Sequence, residues 1–315
     1  MRTLRLGTRG SDLALAQSGS MARALEARHP GLMVELVRIT TSGDRIKDVP
    51  LGPSLGQAFF TKEIQDALLD GRVDLAVHSC KDLATTLPEG TVLAAIPERE
   101  DVRDVLVSRR GGLAELPAGA TVGTSSMRRK LFLSAARPDL ELVELRGNVP
   151  TRVGAVEEGR MDAAILAMAG LRRLGLEGKV TEPLGLSVML PAAAQGALAL
   201  EVRAADAEAV ALVSVLDDAG ARAEVTAERA CLHRLGAGCQ APVGALGRVS
   251  SGGALRLRAA VAGPGGIVWV EVDGDADQAG ATGVAAAEAL LKQLGVASLR
   301  DAEWAGPPPG ERRGP

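Results

Sequence analysis

The spacing of apolar and polar positions divides the chain into short strand and helix signals from its first residues. LRLGT at 4–8 is a compact apolar run and reads as a short buried strand. Ser11 stands where an N-cap belongs, and the helix it opens runs to about Arg28 before Pro30 stops it. MVELVRI at 33–39 reads as the next strand, and a strand–helix–strand opening implies a parallel sheet. Residues 42–59 (SGDRIKDVPLGPSLGQAF) carry little periodicity and much Gly and Pro. They read as a long mobile loop, a feature that in compact domains is functional or disordered. A helix is expected at about 61–69, then Gly71 and a strand at 73–78.

A second, similar unit begins near residue 102. Strand 121–123 leads through Thr124, Ser125 and Ser126 into the helix MRRKLFLSAA. Strand 141–145 leads through Arg146, Gly147 and Asn148 into a helix with Thr151 as its expected cap, and strand 162–166 follows. The two units share wording. Leu6-Gly7-Thr8 matches Val122-Gly123-Thr124, and the stretch from Gly71 to Val77 matches that from Gly159 to Ile165. Such repeats suggest two α/β domains of one plan. Ligands of open α/β sheets bind beyond the carboxyl ends of the strands, so two such domains around a cleft would present a site there. Strand 197–202 is expected to return to the first domain. Helices at about 206–217 and 222–234, strands at 243–249, 255–262 and 266–272, and a helix at 278–294 make a small α+β unit. The expected division is 1–98 with 196–216, then 99–195, then 217–304, with 305–315 a disordered tail.

Composition narrows the function classes. The chain has 315 residues, 46% apolar and 24% charged, which is globular usage. With three Phe, two Trp and no Tyr, the cores must come from Leu, Val, Ala and Ile. A net charge of −3 and few stacking aromatics argue against a nucleic-acid or membrane-surface binder. The start MRTLRLGTRGS lacks the apolar core of a signal peptide, and no apolar run is long enough for a bilayer. Three Cys without regular spacing fit a reducing cytoplasm with no disulfide framework.

Charge is nevertheless concentrated by position. Arg9, Lys81, Arg128, Arg129, Arg146, Arg152, Arg172 and Arg173 each follow a predicted strand end or open the next helix. Helix N-termini favour anions, hydroxyls at Ser11, Thr124, Ser125 and Ser126 add donors, and Arg supplies forked donors for carboxylate or phosphate. A solvated surface pair explains any single Arg equally well. Their repeated placement favours a polyanionic ligand. Asp82 among these cations either balances Lys81 or stabilises a positive charge developing on a substrate.

Of the cysteines, Cys80 at a strand end reads as a small hydrophobe and Cys231 as a buried helix residue. Cys231 and His233, two apart on a helix, point to nearly opposite sides and make a poor zinc pair, so no metal is expected. Cys239 lies in RLGAGCQAPV, where Gly236 and Gly238 leave the backbone adaptable. No partner of a Cys-His nucleophile is placed by sequence, and covalent capture of an electrophile is the remaining reading.

The phrases GTRGSDLAL, TTSGDR, FTKEI, AVHSCKDL, VGTSSMRR, LRGNVPTR, LAMAGLRRLGL, LPAAAQGALALE and GAGCQAPVG, in this order, resemble the porphobilinogen deaminases, or hydroxymethylbilane synthases, over nearly the whole chain. The resemblance implies two type II periplasmic-binding-protein-like α/β domains around a cleft plus a small α+β C-terminal domain. It implies head-to-tail joining of four porphobilinogen molecules with loss of ammonia, and a dipyrromethane primer held by a thioether to Cys239. By position, Ser79, Lys81, Asp82, Thr124, Ser125, Ser126, Arg128, Arg129 and Arg146 would hold that cofactor. Arg9, Ser11, Phe60, Arg146, Arg152 and Arg173 would hold substrate, with Phe60 stacking on a pyrrole or simply filling core. Asp82, assisted by Arg9 and Lys81, would stabilise the azafulvenium cation left by ammonia. A cytoplasmic monomer is expected. Two departures stand out: Gln57 replaces a common Lys, and Ala84 replaces a Pro after Asp82.

Overall fold

A computed structural model describes residues 3–41, 61–237, 241–263 and 266–299. The expected 42–59 loop, Gln57, Phe60, Cys239 and the 305–315 tail lie outside the described residues. In chain order the strands are β1 (Thr3–Thr8), β2 (Met33–Arg38), β3 (Leu75–Ser79), β4 (Thr91–Ala95), β5 (Asp104–Ser108), β6 (Thr121–Gly123), β7 (Glu141–Val143), β8 (Ala163–Ala167), β9 (Glu182–Pro183), β10 (Leu198–Arg203), β11 (Val243–Val249), β12 (Ala254–Gly263) and β13 (Gly266–Asp275).

The chain divides into two compact units, residues 1–100 with 197–222 and residues 101–196 with 223–315. The first contains a five-stranded sheet ordered β2-β1-β3-β10-β4, with β1 parallel to β2 and β3, and β10 antiparallel to β3 and β4. The return of the 197–202 strand to the first sheet is therefore as the sequence suggests. The second unit repeats the plan as β7-β6-β8-β5-β9, with β6 parallel to β7 and β8, and β5 antiparallel to β8 and β9. Two α/β sheets of the type II periplasmic-binding-protein plan are thus present. In the second unit, β11-β12-β13 form an antiparallel meander whose apolar face and the helix Ala279–Leu294 build one core around Leu255, Leu257, Leu290 and Leu291. The same meander contributes Leu246, Ala260 and Ala262 to the core of the second α/β sheet, and Trp269 meets Phe132 edge-on at 5.7 Å.

The matching phrases are matching structure. Asp74 and Asp162 precede β3 and β8, and each carboxylate accepts the backbone N–H of a residue on the neighbouring strand, Arg5 at 3.0 Å and Thr121 at 2.9 Å. Burial would raise the Asp74 carboxyl, but donors from Arg5 and Arg203 hold it at about 2. Gly7 and Gly123 sit beneath the residue before each Asp. A methyl group at Gly7 would lie 3.1 Å from Val73, and one at Gly123 would overlap the Met161 sulfur and lie 2.8 Å from Leu145. Gly123→Ala is therefore expected to lower stability by ~1–3 kcal/mol through overpacking. Chemical denaturation reads this directly.

Three local readings change. Strands β4 and β5 were not foreseen; each is a five-residue run, separated by the charged stretch PEREDVR, too short to declare a period. The helix Val149–Glu157 is capped by Asn148 rather than Thr151, whose N–H and hydroxyl both donate to Asn148 Oδ1 at 2.9 and 2.6 Å. Pro150 is tolerated in a first turn, where its missing N–H costs nothing, so the helix begins ahead of Thr151. The strand expected at 141–145 ends at Val143, and residues 144–148 become a loop. Cys80 and Cys231 are buried as expected, and burial, then the charge of Glu228, pushes the Cys231 thiol up to about 12. His233 on the same helix is exposed.

Candidate functional site

In the first unit the carboxyl ends of β1 and β3, paired in parallel, carry two groups of predicted residues. Arg9 follows β1, and Ser11 caps the helix Asp12–Arg28 by accepting the Ala14 N–H at 3.4 Å. Ser79 ends β3, and a single turn, Cys80–Asp82, follows. Cys80 and Leu83 are 1% and 2% exposed and anchor the turn at both ends, and the Leu83 N–H closes it on the Cys80 carbonyl at 3.2 Å. Lys81 is therefore half-buried and Asp82 is turned to solvent. Ser79 exchanges hydrogen bonds with Gln17, receiving one at 2.9 Å and donating one at 3.3 Å, which ties the helix behind Arg9 and Ser11 to the strand before Asp82.

The second unit brings together the loops after β6 and β7. The Thr124 N–H donates to the Val143 carbonyl at 2.9 Å, and the Ser125 hydroxyl donates to the Leu145 carbonyl. Ser126 caps the helix Met127–Ala136. Glu144 lies between Lys130 and Arg146, at 3.3 and 3.1 Å. Burial would raise the Glu144 carboxyl, but donors from Ser125, Lys130 and Arg146 bring it below its ordinary value. Arg146 is exposed, and Arg152 donates to the Gly147 carbonyl at 2.8 Å, fixing the loop on which Arg146 stands.

Arg128 and Arg129 do not stand at the edge beside Arg146. They are 4% and 6% exposed and turn inward to Asp104, which is fully buried at the start of β5. Arg128 Nη1 reaches Asp104 Oδ2 at 2.8 Å and the Leu190 carbonyl at 2.6 Å. Arg129 donates through Nε and Nη2 to Asp104 Oδ1 and through Nη1 to the Ile165 carbonyl. Burial opposes the Asp104 charge, yet the two guanidinium charges hold its carboxyl far below the usual range. Two cations against one anion leave this buried group at a formal +1.

The segment LPAAAQG at 190–196 is wired to the same group. Gln195 Nε2 donates to the Val102 carbonyl at 2.8 Å and to Asp104 at 3.1 Å, and Arg173 donates to the Gly196 carbonyl at 2.7 Å. Just before them Ala194 holds φ 60°, a left-handed backbone unusual without glycine, and its N–H donates to the buried Glu228 carboxylate at 2.5 Å. Sequence reasoning missed Asp104, Glu144, Gln195, Glu228 and Gln17. The one usable signal was the carboxylate opening the apolar run DVLVS, which needs a buried cation. Among the described residues no cluster of three or more metal-ligating side chains occurs, and no helix is long and apolar enough to cross a membrane.

The family profile described as porphobilinogen deaminase, dipyromethane cofactor binding domain, matches residues 4–211, and that of the porphobilinogen deaminase C-terminal domain matches residues 222–292. The porphobilinogen deaminase of Roseiflexus sp. strain RS-1 is 49% identical over 300 residues, covering 95% of this chain and 99% of the relative. That of Pelobacter propionicus is 46% identical over 302 residues, covering 95% and 97%. Among solved structures, the periplasmic aliphatic sulphonate binding protein SsuA of Escherichia coli aligns with 74% of this chain and 70% of its own, at 16% identity and a TM-score of 0.40. With its whole α/β portion and its C-terminal unit both matched, and with relatives near half identity from end to end, this chain belongs to the porphobilinogen deaminase family.

Proposed function

We propose that this protein is a hydroxymethylbilane-forming transferase. It joins four porphobilinogen molecules head to tail onto a dipyrromethane covalently held at Cys239, releasing one ammonia for each. The observation that carries the reading is the arrangement of cations at the carboxyl ends of both sheets in a chain matched along its length to this family. Each pyrrole of such a chain bears two carboxylates, so the growing product is a polyanion.

The residues fit a bound oligopyrrole. The buried group of Arg128, Arg129 and Asp104 sums to a formal +1, and both arginines stand in the first turn of a helix capped by Ser126. A carboxylate near that end supplies a balancing charge. Ser79, Lys81, Asp82, Thr124, Ser125, Ser126, Arg128, Arg129 and Arg146 would hold the cofactor. When bound, the dipyrromethane supplies the electron-rich pyrrole carbon onto which the first monomer is joined.

The chain's own residues do the remaining work. Arg9, Ser11, Phe60, Arg146, Arg152 and Arg173 bind and orient substrate carboxylates and the ring. Asp82 holds the pyrrole N–H and, as the protonated amine leaves the substrate, stabilises the cation that develops on the ring. Lys81 and Arg9 keep the surrounding field suited to anionic substrate. The division into 1–98 with 196–216, 99–195 and 217–304, a monomeric state and a cytoplasmic setting belong to the same proposal. The buried Cys80 and Cys231 thiols support the last of these.

Intact mass tests the reading. The purified protein is expected to exceed its sequence mass by one dipyrromethane and to turn over porphobilinogen. Cys239→Ser is expected at its bare sequence mass, with turnover lost. A fully active protein at unmodified mass would reject the proposal.

A further inference from the structure

His78 and Glu201 form a buried pair that the functional reading does not use. Glu201 on β10 is fully buried, and its Oε2 lies 3.0 Å from His78 Nε2 on β3, a close contact that falls outside hydrogen-bond geometry. In the antiparallel register Ala199 opposes His78, so Glu201, two residues on, shares the His78 face as its diagonal neighbour. Gln65, from the helix Lys62–Leu69, is also buried and donates from Nε2 to both Glu201 oxygens at 3.1 Å. Burial pushes the Glu201 carboxyl up, yet the nearby polar groups of His78, Thr91 and Gln65 keep it below its ordinary value.

A buried polar contact contributes little net stability relative to apolar side chains of the same volume. What it fixes is direction. His78 packs against Glu201 on one face of β3, and Ser79 is held on the opposite face by Gln17. The Cys80 N–H is then held by the Ala197 carbonyl of the β10 side at 3.0 Å. Three consecutive residues are thus clamped from different directions immediately before Lys81 and Asp82.

We propose that His78 and Glu201 are positioning residues for Asp82, setting where its carboxylate stands against the substrate cation. The inference rests on the role given to Asp82 above. The two fail differently: an unsubstituted protein without porphobilinogen turnover defeats that role, whereas this inference fails only in variants of an active parent.

The test compares His78→Leu with His78→Gln for kcat, KM, thermal stability and intact mass. The Leu variant removes the polar ring that packs against Glu201, and a displacement approaching 1 Å at a reacting group costs on the order of 10²-fold. A fall in kcat of about 10- to 100-fold is expected, with KM within about twofold and the cofactor mass retained. His78→Gln keeps a polar nitrogen facing Glu201 and is expected to recover to within about threefold of the parent. Unchanged kcat in His78→Leu, or a Gln variant as slow as the Leu variant at parental stability, overturns the proposal. Should His78→Leu not fold, Gln65→Met removes a donor from the other side without touching the strand; the same selective loss of kcat supports the proposal and parental kcat overturns it.

Discussion

Asp82→Asn is expected to lower kcat for porphobilinogen by about 10²–10³-fold while leaving stability within about 0.5 kcal/mol of the parent. The reasons lie in the turn that carries it. Asp82 is exposed, so its side chain is not part of any core, and the turn is held by buried Cys80 and Leu83 and by a backbone bond between them. Asn has nearly the same shape and still accepts a hydrogen bond from a ring N–H. It cannot offset a full positive charge. Loss of a single preorganised electrostatic partner in an active site costs a few kcal/mol of transition-state stabilisation, which is the fold-change stated. Steady-state kinetics with thermal unfolding and intact mass recorded in parallel give the comparison. A variant retaining more than about a tenth of parental kcat would remove Asp82 from the chemistry.

Asp104→Asn carries the largest expected effect on stability. It would leave Arg128 and Arg129, 4% and 6% exposed, without the carboxylate they share. Removing one partner of a buried ionic group destabilises by about 3–5 kcal/mol, because the remaining charges stay desolvated and uncompensated. A lowered denaturant midpoint and loss of the cofactor mass are both expected, since the two guanidiniums would no longer be held. Acid gives an independent reading. The Asp104 carboxyl is depressed in the folded protein, so its contribution is complete above the unfolded value of ~3.9 and is lost as pH falls from there through the folded value. The parent should therefore lose stability below about pH 4 more steeply than the variant does. Parallel acid limbs, or an undiminished denaturant midpoint, would show that the pair of arginines is balanced by something other than Asp104.

The two halves of the site differed in how far they could be read in advance. Ser11 and Ser126 are local devices: each caps a helix three residues ahead through its own side chain, so short-range pattern suffices. The same holds for the repeated Gly-Thr and Arg-x-Asp phrases, which recur because each sheet needs a glycine under a bulky neighbour and a carboxylate at a strand start. Thr151 was misjudged as a cap because Pro150 next to it reads as a stop, although in a first turn it is harmless. Arg128 and Arg129 follow a strand end as Arg146 does, and nothing local distinguishes them from it. Their turn toward Asp104, 24 and 25 residues earlier, is decided by a strand that short apolar pattern did not reveal.

By itself the sequence determined the alternation of strands and helices, the capped helix starts, the internal repeat and the placing of cations after strands. All of these follow from backbone geometry and side-chain chemistry within a few residues. Only the tertiary structure decided which charges are shared. Asp104 with Arg128, Arg129 and Gln195, and Glu201 with His78 and Gln65, join residues 24 to 136 positions apart. The physical reason is desolvation: a charge withdrawn from water must find its partner in space, and sheet order rather than chain order determines which residue that is.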